Sequence, residues 1–146
     1  MASPRVILLA EDDQDDFFLT CEAFTEAGLK HDLRRVRNGV ELLEYLLGRG
    51  AYQPGQCPSP ALIMLDLNMP KMDGREALVE LKAHPHLSHI PVVVVTTSRS
   101  EDDVKRCYQL GASSYIRKPP GFDELVNMVT LLSRYWFEQV ELPPPS

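Results

Sequence analysis

Three short runs of almost uninterrupted apolar residues constrain the fold of this chain more than any other feature. They are VILLA (Val6 to Ala10), ALIML (Ala61 to Leu65) and VVVVT (Val92 to Thr96). A strand that is covered on both faces has no polar side, so its residues are apolar throughout. The three runs therefore predict the central strands of a sheet that carries helices on both of its faces.

The segments between these runs have the residue spacing of amphipathic helices. Ser100 is a candidate N-cap, and Gly28 and Gly111 are natural C-terminal stops. The five predicted helices lie in residues 15–28, 39–50, 74–84, 100–111 and 122–137. Two weaker strands, in HDLRRVRNG and in SYI, complete five strand–helix units.

Strands that alternate with helices of this length pair in parallel, through right-handed crossovers. The predicted fold is α/β, a doubly wound five-stranded parallel sheet in the order 2-1-3-4-5. A closed barrel would need eight such units. We assign residues 1–137 to one domain and residues 138–146 to a C-terminal tail. The LPPPS end of the tail fits either a disordered segment or a polyproline II segment, and we favour disorder.

The composition limits the classes of partner. A net charge of −6 argues against nucleic acid or an anionic membrane as the main partner. No apolar run approaches the roughly 20 residues of a membrane helix, and the N-terminus has no signal-peptide pattern. Cys21, Cys57 and Cys107 form no CxxC pair, which favours reduced thiols. We expect a cytoplasmic protein that binds neither nucleic acid nor membrane.

Residues with distinctive chemistry follow four of the five predicted strands. They are Glu11, Asp12 and Asp13 after the first strand, Asp66 after the third, Thr96 at the end of the fourth, and Lys118 after the fifth. The carboxyl ends of parallel strands meet at one edge of a sheet, and sites form there. The sequence therefore predicts a site that combines several carboxylates, one hydroxyl and one ammonium group.

Each of these residue types has a use in phosphoryl transfer. Crowded carboxylates stay ionised when a cation lies between them, and an all-oxygen ligand set suits Mg²⁺ better than Zn²⁺. Asp66 can then act as a nucleophile and become an aspartyl phosphate. Lys118 would neutralise developing charge, and Thr96 would donate a hydrogen bond to a phosphoryl oxygen.

Other interpretations of the same residues remain open. The EDDQDD segment also fits a solvated acidic turn whose aspartates cap a helix. A phosphatase that forms an aspartyl phosphate is an alternative function, although its second carboxylate is expected at the position of Asn68. A nucleotide-binding module is disfavoured because no glycine-rich loop follows the first strand. His84, His86 and His89 lie in a connector, where solvated histidines are favoured over a metal site.

Four motifs resemble those of response regulator receiver domains, the CheY-like phosphoacceptor proteins of two-component signalling. They are LLAEDD, LIMLDLNMPKMDG, IPVVVVTTS and GASSYIRKP. The resemblance extends over nearly the whole chain. In addition, GRGAYQPGQCPSP, IPVVVVTTSRSEDDV and RYWFEQVELP are similar to the stand-alone regulators that partner bacterial phytochromes. No output domain is then expected.

The resemblance implies a role for each residue of the site. Asp66 would accept a phosphoryl group from a sensor histidine kinase, of the phytochrome type, and the only catalysis would be this phosphorylation and its reversal. Mg²⁺ would be held by Asp12, Asp66 and the backbone carbonyl of Asn68, with Glu11 acting mainly through water. Lys118 would pair with Asp66, next to a cis peptide bond to Pro119.

The resemblance also implies a conformational switch. Thr96 would move toward the phosphate, and the ring of Tyr115 would follow from an outward to an inward position. That movement would repack the face formed by the fourth helix, the fifth strand and the fifth helix. We expect a homodimer through this face.

The C-terminal apolar residues have two interpretations. Trp136, Phe137, Val140 and Leu142 form an apolar trail on and after the last predicted helix. They can complete the core, or they can contribute to the homodimer interface. We prefer the interface.

Overall fold

Five parallel strands form one sheet in the order β2-β1-β3-β4-β5, which confirms the predicted topology. The computed structural model describes residues 5–144, so the end of the predicted tail, Pro145 and Ser146, lies outside the described residues. The strands are β1 Val6–Ala10, β2 Asp32–Val36, β3 Leu62–Leu65, β4 Val92–Thr96 and β5 Ser114–Arg117. The helices are α1 Gln14–Glu26, α2 Gly39–Leu47, α3 Gly74–Ala83, α4 Glu101–Gln109 and α5 Phe122–Arg134.

The strand residues alternate between two apolar clusters, one on each face of the sheet. Side chains of successive strand residues point to opposite faces, so a continuous apolar run supplies both clusters. One cluster combines Leu8, Ile63 and Val94 with residues of α2 and α3. The other combines Ile7, Met64 and Val93 with residues of α1 and α5, among them the buried Phe24 and Val129. Both faces are therefore covered, as the apolar runs predict.

Side-chain caps fix where the helices begin at the carboxyl edge of the sheet. Asp13 accepts hydrogen bonds from the N–H groups of the first turn of α1, and Asn38 caps α2. Asp73 and Glu76 form a reciprocal capping box at α3. Ser100 caps α4, as predicted from its position before three acidic residues. These caps hold the loops that carry the site.

The end of the last helix differs from the sequence-based prediction. The α-helix ends at Arg134, and one wider turn of π-helix, Tyr135–Gln139, continues it. The Trp136 and Phe137 side chains pack against the cluster between α1 and α5. The Phe137 ring lies 4.6 Å from the His31 ring, which contacts Ser133 through a hydrogen bond of 2.8 Å. These two aromatic residues are therefore partly buried against the core, and their contribution to a homodimer interface stays a prediction.

One further finding concerns a peptide bond next to the predicted site, within residues 5–144. The peptide bond between Lys118 and Pro119 is trans, so the expected cis bond is wrong. The trans form is the intrinsic preference even before proline.

The longest helices in residues 5–144, α1 and α5, have 13 residues each. None of the helices in this range has the length and apolar character needed to cross a membrane.

Gly74 packs α3 directly against the end of β3. A β-carbon at this position would collide with the carbonyl oxygen of Asp66 and lie 2.8 Å from the Cα atom of Leu67. The N–H of Gly74 also donates a hydrogen bond of 3.0 Å to the carbonyl of Leu67. Only a residue without a side chain allows this close approach.

We expect Gly74→Ala to lower the free energy of unfolding by about 1–3 kcal/mol, because the added methyl group meets rigid backbone. Urea denaturation measures the loss. Gly121→Ala is the matched control: its φ of −118° suits any residue, and its β-carbon would meet the flexible Glu124 side chain. A Gly74→Ala protein as stable as the Gly121→Ala protein would contradict the close contact.

Candidate functional site

Three carboxylates lie together at the carboxyl edge of the sheet. The carboxylate oxygens of Glu11, Asp12 and Asp66 lie within 4.8 Å of one another. Glu11 and Asp66 are 8% and 7% exposed, whereas Asp12 is exposed to solvent. Residues that are about 55 positions apart in sequence meet here because β1 and β3 are neighbours in the sheet, with Ala10 paired to Leu65.

The ammonium group of Lys118 joins this cluster from β5. Its Nζ atom lies 2.6 Å from Oε1 of Glu11 and 3.0 Å from Oδ2 of Asp66. It also lies 3.1 Å from Oδ2 of Asp16, a residue of α1. The structure therefore brings the predicted lysine to the predicted aspartate, and Asp16 adds a fourth carboxylate to the cluster.

The pKa values of the buried members reflect burial and mutual charge. Burial raises the pKa of Glu11 to about 7, and the hydrogen bond from Lys118 only partly opposes this effect. Burial alone would lower the pKa of Lys118, but the hydrogen bond that it donates to Glu11 and the charge of Asp66 outweigh this effect, so the pKa is raised. Lys118 is therefore charged at physiological pH.

The loop that carries Glu11 and Asp12 is fastened at several points. The guanidinium group of Arg35, from β2, donates hydrogen bonds of 2.9 Å to the carbonyl oxygens of Glu11 and Asp12. Asp13 caps α1 through bonds of 2.9 and 3.1 Å to the N–H groups of Asp15 and Asp16. The Asp13 carboxylate therefore caps α1, while the Asp12 carboxylate takes no part in capping and can face a ligand.

The predicted hydroxyl and aromatic residues both contact Ser98. Thr96 is fully buried, and its hydroxyl oxygen accepts a hydrogen bond of 3.4 Å from the Ser98 N–H. The half-buried Tyr115 donates from its hydroxyl to the Ser98 carbonyl oxygen at 3.2 Å. The switch residues are thus linked through one loop residue, and their movement stays a prediction.

Asn68 lies beside Asp66 in the loop after β3. Its N–H donates a hydrogen bond of 3.3 Å to Oδ1 of Asp66, which orients that carboxylate. The expected contribution of the Asn68 carbonyl to cation binding stays a prediction.

The donor set fits a hard divalent cation. Glu11, Asp12 and Asp66 offer only oxygen atoms, from carboxylates whose mutual repulsion a cation would relieve. Among the described residues this is the one cluster of carboxylate, histidine or cysteine groups with the spacing of a metal site. The connector histidines do not form one.

Two residues of the site were missed from the sequence. Asp16 belongs to the EDDQDD segment, for which only helix capping was considered as an alternative to ligand binding. Its position in the first turn of α1, one turn from Asp12, is the signal that it faces the same edge. Arg35 has no distinctive signal, because arginines on an edge strand are normally solvated.

A cleft of about 250 Å³ opens beside Lys118, between α1 and the start of α5. Glu11, Asp66 and Lys118 form its polar end. Its walls are apolar and include Leu19 and Phe122, which are large hydrophobic residues exposed to solvent. The buried carboxylate of Asp66 is therefore accessible from outside along an apolar surface.

Comparisons with known proteins agree with this geometry. Residues 7–130 match the family described as the response regulator receiver domain. The chain is 43% identical over 140 residues to response regulator Rcp1 of Synechocystis sp., covering 96% of this chain and 94% of that protein.

Two solved structures are also similar. The phosphorylated cyanobacterial phytochrome response regulator RcpA is 39% identical, with a TM-score of 0.89 over 97% of this chain and 100% of that one. The Mn²⁺-bound form of Rcp1 is 42% identical, with a TM-score of 0.86 and the same coverage. The chain therefore belongs to the response regulator receiver domain family of two-component signalling, and it is related to the phytochrome response regulators Rcp1 and RcpA.

Proposed function

We propose that Asp66 accepts a phosphoryl group from the phosphohistidine of a sensor histidine kinase, with Mg²⁺ as the cation. The observation that carries this proposal is the convergence of Glu11, Asp12, Asp66 and Lys118 at one edge of the sheet. A buried carboxylate without charged neighbours would be protonated. The Asp66 carboxylate instead lies beside one ammonium group and two further carboxylates.

The residues divide the work of the reaction. An oxygen of Asp66 attacks phosphorus, and the bond from phosphorus to the donor nitrogen breaks. Lys118 neutralises charge on Asp66 and then on the phosphoryl oxygens. Thr96 donates a hydrogen bond from its hydroxyl group to one of these oxygens. Asp12, Asp66 and the Asn68 carbonyl would hold Mg²⁺, with Glu11 acting mainly through water, and the ion would supply further positive charge.

The output would be a change of surface rather than turnover of an external substrate. Thr96 and Tyr115 are both hydrogen-bonded to Ser98. A shift of Thr96 toward a phosphoryl oxygen would therefore move the Ser98 loop and, with it, the Tyr115 ring. Tyr115 lies on β5, between α4 and α5. The α4-β5-α5 face would therefore carry the signal to a partner.

A phytochrome-type kinase is the partner we favour, in the cytoplasm. The relatives RcpA and Rcp1 support this choice, as RcpA is described as a phytochrome response regulator. The apolar mouth of the cleft, with Leu19 and Phe122, offers a surface on which a helix carrying the phosphohistidine can lie. Neither nucleic acid nor membrane is part of the proposal.

We expect acetyl phosphate with Mg²⁺ to form an acid-stable, base-labile phosphoprotein, and Asp66→Asn to abolish it because the nucleophile is lost. Mass spectrometry and radiolabel incorporation measure the adduct. Asp102→Asn, the same change at an exposed carboxylate in the first turn of α4, is the control and should be labelled like the parent protein.

Two results would overturn the proposal. One is phosphorylation that persists in Asp66→Asn. The other is continuous hydrolysis of small phosphate esters without an adduct, which would favour the alternative phosphatase. The kinase partner is tested separately, by phosphoryl transfer from a phosphorylated phytochrome-type kinase to the parent protein and to Asp66→Asn.

We also propose a homodimer through the α4-β5-α5 face and the C-terminal segment. Leu131 and Tyr135 are 56% and 54% exposed on successive turns at the end of α5. They line a groove with Ile116 and Trp136, beside β5, which is an edge strand of the sheet. Apolar side chains next to an open strand edge are typical of a surface that a second protein covers.

We expect Leu131→Arg to convert a dimer into a monomer, because it places a charge in the apolar contact. Sedimentation velocity over a range of concentrations measures the mass. Val79→Arg changes an equally apolar, exposed position on α3 and should leave the dimer intact. A parent protein that stays monomeric, or a Leu131→Arg protein that stays dimeric, would contradict this interface.

A further inference from the structure

The acidic loop after β1, residues 11–13, is held from β2 through its backbone. The N–H of Glu11 donates a hydrogen bond of 2.9 Å to the carbonyl oxygen of Val36, which extends the pairing of the two strands by one residue. Arg35 donates from Nε to the carbonyl oxygen of Glu11 and from Nη2 to that of Asp12, each at 2.9 Å. One guanidinium group therefore fixes two successive residues that carry candidate cation ligands.

The Arg35 side chain is itself held in place. Its guanidinium carbon lies 5.8 Å from the centre of the Phe17 ring, within the range of a cation–π contact. Phe17 belongs to α1 and packs against the apolar cluster between α1, the sheet and α5. A planar group with fixed donor directions, lying over a packed ring, can hold two carbonyl groups in one geometry.

The Asp12 carboxylate depends on such support more than its neighbours do. Glu11 and Asp66 are nearly buried, and both accept hydrogen bonds from Lys118. Asp12 is instead exposed to solvent. An exposed side chain on a loose loop loses conformational freedom when it binds a cation, and this loss weakens binding. A loop whose backbone is already fixed has less freedom to lose.

We propose that Arg35 is a positioning residue for the divalent cation: through the carbonyl groups of Glu11 and Asp12, it prearranges the Asp12 carboxylate for binding. This role rests on the cation site of the proposed function. It adds to that site a residue that contacts neither the cation nor the phosphoryl group. Groups that orient a metal-binding residue tune the affinity of a site without bonding the ion.

The charge of Arg35 and its hydrogen bonds act on the cation in opposite directions. A guanidinium group beside an acidic cluster repels a divalent cation, so its charge alone would weaken binding. Salt screens this repulsion at physiological ionic strength. The two hydrogen bonds strengthen binding because they fix the loop. Substitutions that separate the charge from the paired hydrogen bonds therefore distinguish the two effects.

The experiment measures the dissociation constant of Mn²⁺ at physiological ionic strength, from the electron paramagnetic resonance signal of the free ion. We expect Arg35→Lys, which keeps the charge but lacks the two-pronged donor, to raise the constant about threefold to tenfold, the equivalent of one hydrogen bond. Arg35→Met, which removes the charge and every donor, should also raise it, because the lost hydrogen bonds outweigh the relieved repulsion. Arg35→Met decides the matter if Arg35→Lys does not fold.

Two control variants separate positioning from net charge and from stability. Arg34→Met removes the same charge from the adjacent position of β2, where the arginine pairs with Asp32, and should keep the parent constant. Val92→Ala removes buried apolar atoms at the start of β4, at the opposite edge of the sheet from the acidic loop. It should lower the free energy of unfolding in urea and still keep the parent constant.

Several outcomes would overturn the role of Arg35. One is a parent-like constant in Arg35→Lys or in Arg35→Met, which would leave Arg35 a merely structural residue. Another is tighter binding by Arg35→Met, which would show that its charge prevails. A weakening that Arg34→Met or Val92→Ala reproduces would also overturn it. Absence of Mn²⁺ binding in the parent protein would instead contradict the cation site of the proposed function.

Discussion

The ion pairs of Lys118 are the interaction on which the rest of the site depends. One ammonium group bonds Glu11, Asp16 and Asp66, which come from three different elements. The carboxylates of Glu11 and Asp66 are nearly buried and repel one another, and removing them from water is costly unless a cation compensates. Lys118 compensates part of this charge, and the carboxylates that remain fit a divalent ion. In the proposed function, this surplus of negative charge would bind the divalent ion beside Asp66.

The sheet makes this arrangement possible, because the residues of the site come from separate segments that only the sheet brings together. The two central strands, β1 and β3, deliver the acids, while β4 and β5 deliver Thr96 and Lys118 to the same edge. Gly74 then lets α3 approach the backbone of Asp66, so that this helix is coupled to the reacting residue. The proposed phosphorylation of Asp66 and the proposed change of surface can be coupled through the loop after β4. This loop contacts the site through Thr96 and the exposed α4-β5-α5 face through Tyr115.

Much of this could be predicted from the sequence because its signals are local. Continuous apolar runs predicted β1 and β4 from end to end, and the parallel topology that follows from the alternation of strands and helices brought the strand-end residues together. The contacts that escaped prediction depend on tertiary placement. The pairing of Asp16 with Lys118, and of Arg35 with the carbonyl groups of the acidic loop, needs the relative position of two elements. The π-turn at Tyr135–Gln139 depends on how Trp136 and Phe137 pack, which helical periodicity does not encode.

The most direct test of the central claim is to locate the divalent cation in solution. Mn²⁺ added in substoichiometric amounts to the isotope-labelled protein broadens the NMR signals of nearby nuclei. The amides around Glu11, Asp12, Asp66 and Lys118 should broaden first, while those at the start of β1 and β3, at the opposite edge, should stay sharp. Broadening centred on His84 and His86, or none at the carboxylate cluster, would contradict the assignment of this edge as a metal-dependent phosphoacceptor site.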